Sequence, residues 1–390
     1  MAMTGSGGEL ASSPTATLRD SAGIGITENP GVAVPGGGGW SVASEPDLVI
    51  GSFDGPEAEQ LYRVRGAVRL PDGRIAVGNE GSQEVRLFNP DGSFSQSVGG
   101  VGEGPGEFSA VLLAGLWGDT LVVIDRRQRR VSLLHPEDGF VRSFTVPDGL
   151  VTDPLTGWVF GTGSVLFQDI PVDEAGGFAD GFSRSPVPYS SCDMEGEALT
   201  DFGRLPGSEM VTVTRQTDHG MATMVSSVPF GKDPQTAVAG DHLYFGSHDG
   251  YQIDVYRSGG RLERIIRVAH ELVPVTEADF SAYVEETVAA MADEDQARSR
   301  RRDLEAMPRV DHRPPHGPLY ADLEGYLFVE DFVMPGDERK GVTVFDPQGR
   351  LVGGFELPAD LQVLEVGSDY LLARYEDELE VEYVQLYALN

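Results

Sequence analysis

The residues best suited to chemistry are oxygen-bearing side chains that end the second predicted strand of each repeated unit. They are Asn79, Glu80, Asp125, Asp169, Asp249, Glu330 and Asp331. Carboxylate and amide oxygens are the ligands that Ca²⁺ takes in proteins. If these strand ends face a common axis, they predict a calcium site, and with it a metal-dependent hydrolase or lyase. The alternative is that they are ordinary loop carboxylates, since the chain has 62 Asp and Glu residues.

Other catalytic arrangements have less support in the sequence. His312 and His316 are separated by Arg-Pro-Pro and lack the spacing of zinc ligands on a helix, so a zinc site is the weaker metal hypothesis. No Gly-x-Ser-x-Gly sequence is present. The glycine-rich segment from Gly102 to Phe108 resembles a phosphate loop only superficially, because Pro105 lacks an N–H donor and the segment's two glutamates repel phosphate.

The elements that must position these residues recur along the chain. In the clearest copy, Leu70 to Asn79 and Glu84 to Phe94 contain strand-like runs and Pro-Asp-Gly turns, in which Pro presets φ and Gly accepts a positive φ. Degraded copies of this strand and turn order follow further along the chain. Four-stranded units of about 40 residues are typical of a β-propeller.

Six such units can be placed in the sequence. They are Val64 to Gly99, Ser109 to Val146, Pro154 to Gly203, Thr236 to Val268, Gly317 to Leu357, and Leu361 to Leu389. The last unit has only three convincing strands, whereas the strand-like run Glu45 to Gly51 near the start has no unit of its own. Closure of the ring by this N-terminal strand would remove two open sheet edges. The predicted fold class is therefore an all-β, six-bladed propeller closed by an N-terminal strand.

The composition excludes several classes of partner. The formal net charge is −33, which repels phosphate backbones, so no nucleic-acid partner is expected. The basic runs Arg126 to Arg130 and Arg298 to Arg302 are interpreted as solvated charge. No apolar stretch approaches the length of a membrane span, so direct membrane insertion is not expected. The single cysteine, Cys192, is expected to be a buried packing residue and not a nucleophile.

The first forty residues differ in composition from the rest. Glycine-rich and serine-rich runs predict a flexible arm over residues 1–40, followed by the propeller over residues 41–390. Neither a basic start nor an apolar core of a signal peptide is recognisable in this segment.

One helical insertion, over residues 274–310, is predicted between the fourth and fifth blades. Thr276 is a suitable N-cap with Asp279 three residues later, and a second helix begins near Asp293. The apolar stripe of these helices is typical of a core-facing surface. As an insertion, the pair is also the predicted docking element for a partner, with the candidate residues Phe280, Tyr283, Arg298 and Arg301.

Three motifs carry a resemblance to a known family. The segments Leu70 to Val77, Arg86 to Gly92 and Gly102 to Phe108 resemble the NHL-repeat-like six-bladed β-propeller proteins of bacteria. The resemblance implies the fold, and it implies an extracytoplasmic or periplasmic location, because such proteins are commonly exported or lipid-anchored. It does not specify an activity, because propellers include lyases, lactonases, sensors and scaffolds.

The sequence prediction for function is a non-catalytic binding or scaffold module. Its exposed loops and helices would dock a protein partner, as an extrinsic subunit of a cell-envelope or membrane-embedded complex, with no cofactor. The alternative is a calcium-dependent hydrolase or lyase with its site in the axial channel.

Overall fold

The computed structural model describes residues 16–33, 36–170, 180–217 and 220–390. These residues form mainly β-strands, with two α-helices. No helix in the described part of the chain is both long and apolar enough to span a membrane.

Most strands belong to six antiparallel groups of four, here called sheets 1 to 6. Sheet 1 consists of β4 (Val64–Arg69), β5 (Ile75–Asn79), β6 (Glu84–Phe88) and β7 (Phe94–Gly99). Sheet 2 consists of β8 (Leu112–Trp117), β9 (Thr120–Asp125), β10 (Arg130–His135) and β11 (Gly139–Thr145). Sheet 3 consists of β12 (Pro154–Phe160), β13 (Ser164–Asp169), β15 (Val187–Asp193) and β16 (Ala198–Leu205).

Sheets 4 to 6 repeat the same order along the chain. Sheet 4 consists of β19 (Gln235–Ala239), β20 (His242–Gly246), β21 (Gln252–Arg257) and β22 (Leu262–Val268). Sheet 5 consists of β23 (Leu319–Ala321), β24 (Leu327–Glu330), β25 (Arg339–Phe345) and β26 (Leu351–Pro358). Sheet 6 consists of β27 (Gln362–Val366), β28 (Tyr370–Glu376), β29 (Glu382–Ala388) and the N-terminal β3 (Leu48–Ile50).

Consecutive four-stranded sheets of this kind are typical of a β-propeller. Their first strands contact one another in a cycle, from β4 to β8, β12, β19, β23, β27 and back to β4. Each neighbouring pair of sheets, the sixth and first included, buries its own hydrophobic cluster. The predicted turn chemistry is present as well: Gly73 has φ +88° and its N–H donates to Leu70 O at 2.9 Å.

Strand β3 pairs with β29 in the way predicted for the run from Glu45 to Gly51. Ile50 lies opposite Val384, and Leu48 lies opposite Leu386. The Ile50 side chain is 2 % exposed and packs in the cluster between sheets 6 and 1. The N-terminal strand therefore completes the fourth position of the last sheet.

The predicted arm over residues 1–40 differs from the structure where the structure describes it. Strands β1 (Thr17–Ser21) and β2 (Ile24–Asn29) form a hairpin, and β2 pairs in parallel with β22 at the outer edge of sheet 4. The Asn29 amide donates to Gly349 O at 2.9 Å, and Trp40 packs edge-on against Phe328. The hairpin pairs with the open edge of sheet 4, which serves as its template. The glycine content of the segment does not reveal this pairing. Residues 1–15 and 34–35 lie outside the described residues.

Three insertions lie at one end of the propeller, here called the insertion end, and two of them together form a side sheet. The side sheet contains β14 (Gly181–Ser183), β17 (Met210–Thr217) and β18 (Gly220–Ser227), and was not predicted. Helices α1 (Glu277–Ala289) and α2 (Glu294–Glu305) follow β22 in the chain. Each insertion replaces a connection that leaves a second or a fourth strand. In an antiparallel four-stranded sheet these connections share one end, so the side sheet and the helices emerge together.

The helix pair is attached through its apolar face. Thr276 and Asp279 form the predicted capping box at the start of α1. Phe280 and Val284 of α1 and Leu304 of α2 are buried in one cluster with Phe230, which precedes sheet 4. The pair is therefore packed on the propeller.

Candidate functional site

Three of the predicted metal ligands bind backbone groups. Asn79, Asp125 and Asp169 are each less than 5 % exposed, and each accepts an N–H from the segment that leads into the first strand of its own sheet. The donors are Tyr62, Ser109 and Thr152, at 2.8, 2.7 and 2.7 Å respectively. Carboxylates and amides in this position satisfy buried N–H groups where the chain crosses between sheets. These three residues therefore fix the inter-sheet crossings.

Two further candidates are engaged by cations at the insertion end. Glu80 Oε2 lies 3.1 Å from Arg65 Nε. Asp249 Oδ1 lies 2.7 Å from Arg184 Nη1 and 2.6 Å from Lys232 Nζ. Asp249 thus joins a side chain that follows β14 to one that follows β18, and it ties the side sheet to sheet 4.

The last two candidates follow one another at the end of β24. Glu330 forms a buried ion pair with Lys340, at 2.9 Å between Oε2 and Nζ. Lys340 Nζ also donates to Leu361 O at 2.6 Å, so this cation is held between sheets 5 and 6. Burial raises the pKa of Asp331. Within the described ranges, no three His, Cys, Asp or Glu side chains converge in a way that could hold a metal ion.

The predicted partner-binding residues fall into two groups. Phe280 is 4 % exposed, with the Arg309 guanidinium 3.4 Å from its ring centroid, and Tyr283 packs against Phe230. Phe280 is thus a core residue and not a docking residue, because the helix turns its apolar stripe toward the propeller. Two arginines of α2 remain at the surface and form ion pairs within the helix pair, Arg298 with Glu294 and Asp295, and Arg301 with Glu285.

A groove separates the side sheet from α2. It encloses about 90 Å³, and its lining is Val211, Val213, Met224, Ser226, Arg300, Asp303, Ala306 and Met307. Two large apolar side chains of the side sheet, Phe182 and Met224, are each 52 % exposed. This surface is not predictable from the repeats, because the strands that build it belong to no repeated unit.

A second cavity opens at the insertion end, where the first strands of sheets 1 to 3 begin. It has a volume of about 230 Å³. Its lining is Arg65, Glu80, Ala110, Val111, Leu112, Ile124, Arg126, Pro154, Leu155 and Thr156. Only Glu80 of this set was a candidate in the sequence, and Arg126 had been assigned to solvated charge. We call this space the axial cavity.

Buried histidines lie between sheets 4 and 5. The rings of His248 and His316 are 4.5 Å apart between centroids, and Tyr251 lies 5.2 Å from His316. Burial lowers the pKa of His248 to about 2 and that of His316 to about 4, so both rings are neutral at physiological pH. Burial also raises the pKa of the Cys192 thiol to about 12, in agreement with its predicted role as a packing residue.

The comparisons with known proteins bear on the fold alone. No family model matches the chain, and no curated protein matches it in sequence. A Bacteroides fragilis protein described as exported is similar in structure, with a TM-score of 0.50 and 11 % identity, covering 94 % of this chain and 99 % of that one. A DUF4221 family member from Bacteroides vulgatus also has a TM-score of 0.50, with 10 % identity, covering 90 % of this chain and 98 % of that one.

More distant structural matches include an enzyme. Virginiamycin B lyase from Staphylococcus aureus has a TM-score of 0.41 and 11 % identity, covering 85 % of this chain and 98 % of that one. Similarity at this level carries no argument about chemistry.

Proposed function

We propose that this protein is a non-catalytic binding module, a closed ring of six blades that docks a protein partner at its insertion end. The observation that carries this proposal is the joint surface of the side sheet and α2, where the groove and the exposed Phe182 and Met224 lie together. Large apolar side chains exposed beside a polar rim are typical of interaction surfaces.

The hydrogen bonds and the ion pair of the predicted metal ligands support the same proposal. Asn79, Asp125 and Asp169 are occupied by backbone N–H groups, and Glu330 by a buried lysine. A general base or a metal ligand needs a lone pair that can reach a substrate or an ion. In these side chains the oxygen lone pairs bind groups of the propeller itself. This arrangement suits a rigid scaffold better than a hydrolase or lyase.

The charge of the surface suggests what the partner looks like. Arg298 and Arg301 are neutralised within the helix pair, and the whole chain carries a formal charge of −33. A partner surface with apolar anchors and a basic rim would complement this end and associate faster at low ionic strength. We further propose an extracytoplasmic location, supported by the Bacteroides fragilis protein of similar fold that is described as exported.

Site-specific crosslinking tests the docking face. A benzophenone amino acid replaces Phe182 in one variant and Leu323 in a control. Leu323 is 83 % exposed in the connection between the first two strands of sheet 5, at the opposite end of the propeller. In the source cells we expect one discrete adduct from position 182 and none of the same mass from position 323.

Substitutions then separate docking from chance capture. The double variant Phe182→Ser with Met224→Ser should lose the partner identified by crosslinking, while Leu323→Ser should retain it. All three side chains are at least half exposed, so the melting temperature should change little. Retention of that partner by the double variant, or identical adducts from both ends, would contradict the proposed docking face.

A further inference from the structure

The axial cavity combines a positive charge with apolar walls in a strongly acidic protein. We propose that it binds a small monocarboxylate, an organic acid with a short apolar tail, whose carboxylate pairs with the Arg126 guanidinium. The cavity lies where β4, β8 and β12 begin, so three neighbouring sheets build it. The site is independent of the docking groove, which lies between the side sheet and α2.

Charge pairing leaves Arg126 as the unmatched group. Arg65 is neutralised by Glu80, with 3.1 Å between Nε and Oε2. Asp125 directly precedes Arg126, but its oxygens accept N–H groups from Ser109, Ala110 and Gln128. Among the described residues, no ion pair or side-chain hydrogen bond is formed by Arg126. The cavity therefore has one excess positive charge, and an anion entering it gains an arginine partner.

The walls and the volume restrict the class of anion. The apolar part of the cavity lining includes Leu112, Ile124 and Leu155. Ligand pockets for drug-sized molecules enclose roughly 300–1,000 Å³, so a cavity of about 230 Å³ suits a smaller molecule. Inorganic phosphate is a mixture of monoanion and dianion at neutral pH and has no apolar part. It would meet the Glu80 carboxylate and would leave the walls unused, so a carboxylate with a short hydrocarbon tail is the better match.

Titration calorimetry on the full chain tests this assignment with three probes: butyrate, its neutral amide butyramide, and inorganic phosphate. We expect saturable binding of butyrate, with butyramide at least about tenfold weaker, because a charge-assisted pair is lost. Arg126→Gln should weaken butyrate binding by about tenfold or more. The control Arg302→Gln removes the same charge from the exposed surface of α2, and it should leave the affinity unchanged.

A second variant tests the cavity itself. Leu155 is 41 % exposed at the cavity wall, so Leu155→Trp should fill the space, abolish butyrate binding and leave the melting temperature nearly unchanged. Four results would each overturn the proposal: no butyrate binding, equal affinity for butyramide, tighter binding of phosphate, or wild-type affinity in Arg126→Gln.

Discussion

The buried histidine pair makes the stability of this protein depend on pH in a way that one substitution can isolate. His248 has φ +64°, and its Nδ1 accepts the Asp233 N–H at 3.2 Å. Asparagine adopts this left-handed conformation readily and can place an oxygen where Nδ1 lies. His248→Asn therefore removes the titrating group while it preserves the backbone geometry and the hydrogen bond.

The magnitude follows from proton linkage. Burial, followed by the charge of His316, lowers the pKa of His248 from 6.5 in the unfolded reference to about 2. Between these pH values the unfolded chain binds a proton at His248 that the folded protein does not bind. The contribution of His248 to the unfolding free energy is therefore fully present above pH 6.5 and is lost as the pH falls. At pH 5 the loss is about 2 kcal/mol, at about 1.4 kcal/mol for each pH unit below 6.5. The result does not depend on the exact folded pKa, provided that it lies well below 5.

Urea unfolding of wild type and His248→Asn at pH 7 and pH 5 measures this contribution of His248 to the unfolding free energy. The difference in unfolding free energy between the two proteins should shift by about 2 kcal/mol in favour of the variant on going from pH 7 to pH 5. This comparison cancels groups that both proteins share, such as Glu365, whose pKa burial raises to about 7 and which acts in the opposite direction.

A surface histidine serves as the control. His312 is exposed. The difference in unfolding free energy between wild type and His312→Asn should therefore be nearly the same at pH 7 and at pH 5. If His248→Asn also shows no shift between pH 7 and pH 5, the His248 ring is hydrated in the folded protein and the reasoning fails.

Two further predictions concern ring closure and calcium. In β3, Ile50→Ala should lower the unfolding free energy by about 3 kcal/mol because Ile50 is 2 % exposed, whereas Val49→Ala, at 47 % exposure, should cost under about 1 kcal/mol; equal losses in urea unfolding would argue against closure by this strand. Calcium and magnesium at equal ionic strength should raise the melting temperature equally, in wild type and in the double variant Asp125→Asn with Asp331→Asn, because only screening is at work. A calcium-selective rise that the double variant abolishes would instead favour the metal-dependent enzyme.

Local chemistry was sufficient to predict much of the frame. Pro71-Asp72-Gly73 marks a turn because its backbone preferences are intrinsic to those residues, and Gly73 has the expected positive φ. Thr276 and Asp279 mark the start of α1 because a capping box depends on a spacing of three residues. The same kind of reasoning placed the missing strand of sheet 6 near the N-terminus, where β3 pairs with β29.

The candidate site was predicted less well, because it depends on what each side chain meets. The positions of Asn79, Asp125 and Asp169 at second-strand ends were predictable, but the backbone N–H groups that they bind were not. The N–H groups that occupy them belong to crossing segments 16 or 17 residues earlier in the chain, and their approach is set by how adjacent sheets pack. Phe280 was misassigned for a similar reason, since a stripe on a helix does not say which surface covers it.

What the sequence determined by itself is therefore the periodic part of this protein: strands, turns, the helix start and the strongly acidic surface. These properties depend on residues that are near neighbours in the chain, or on composition alone. Only the tertiary structure decided that Arg65 is paired while Arg126 has no partner among the described residues, and that the Ile24–Asn29 strand adds to sheet 4. Both depend on distances between segments far apart in sequence, which the packing of neighbouring sheets sets and no local pattern encodes.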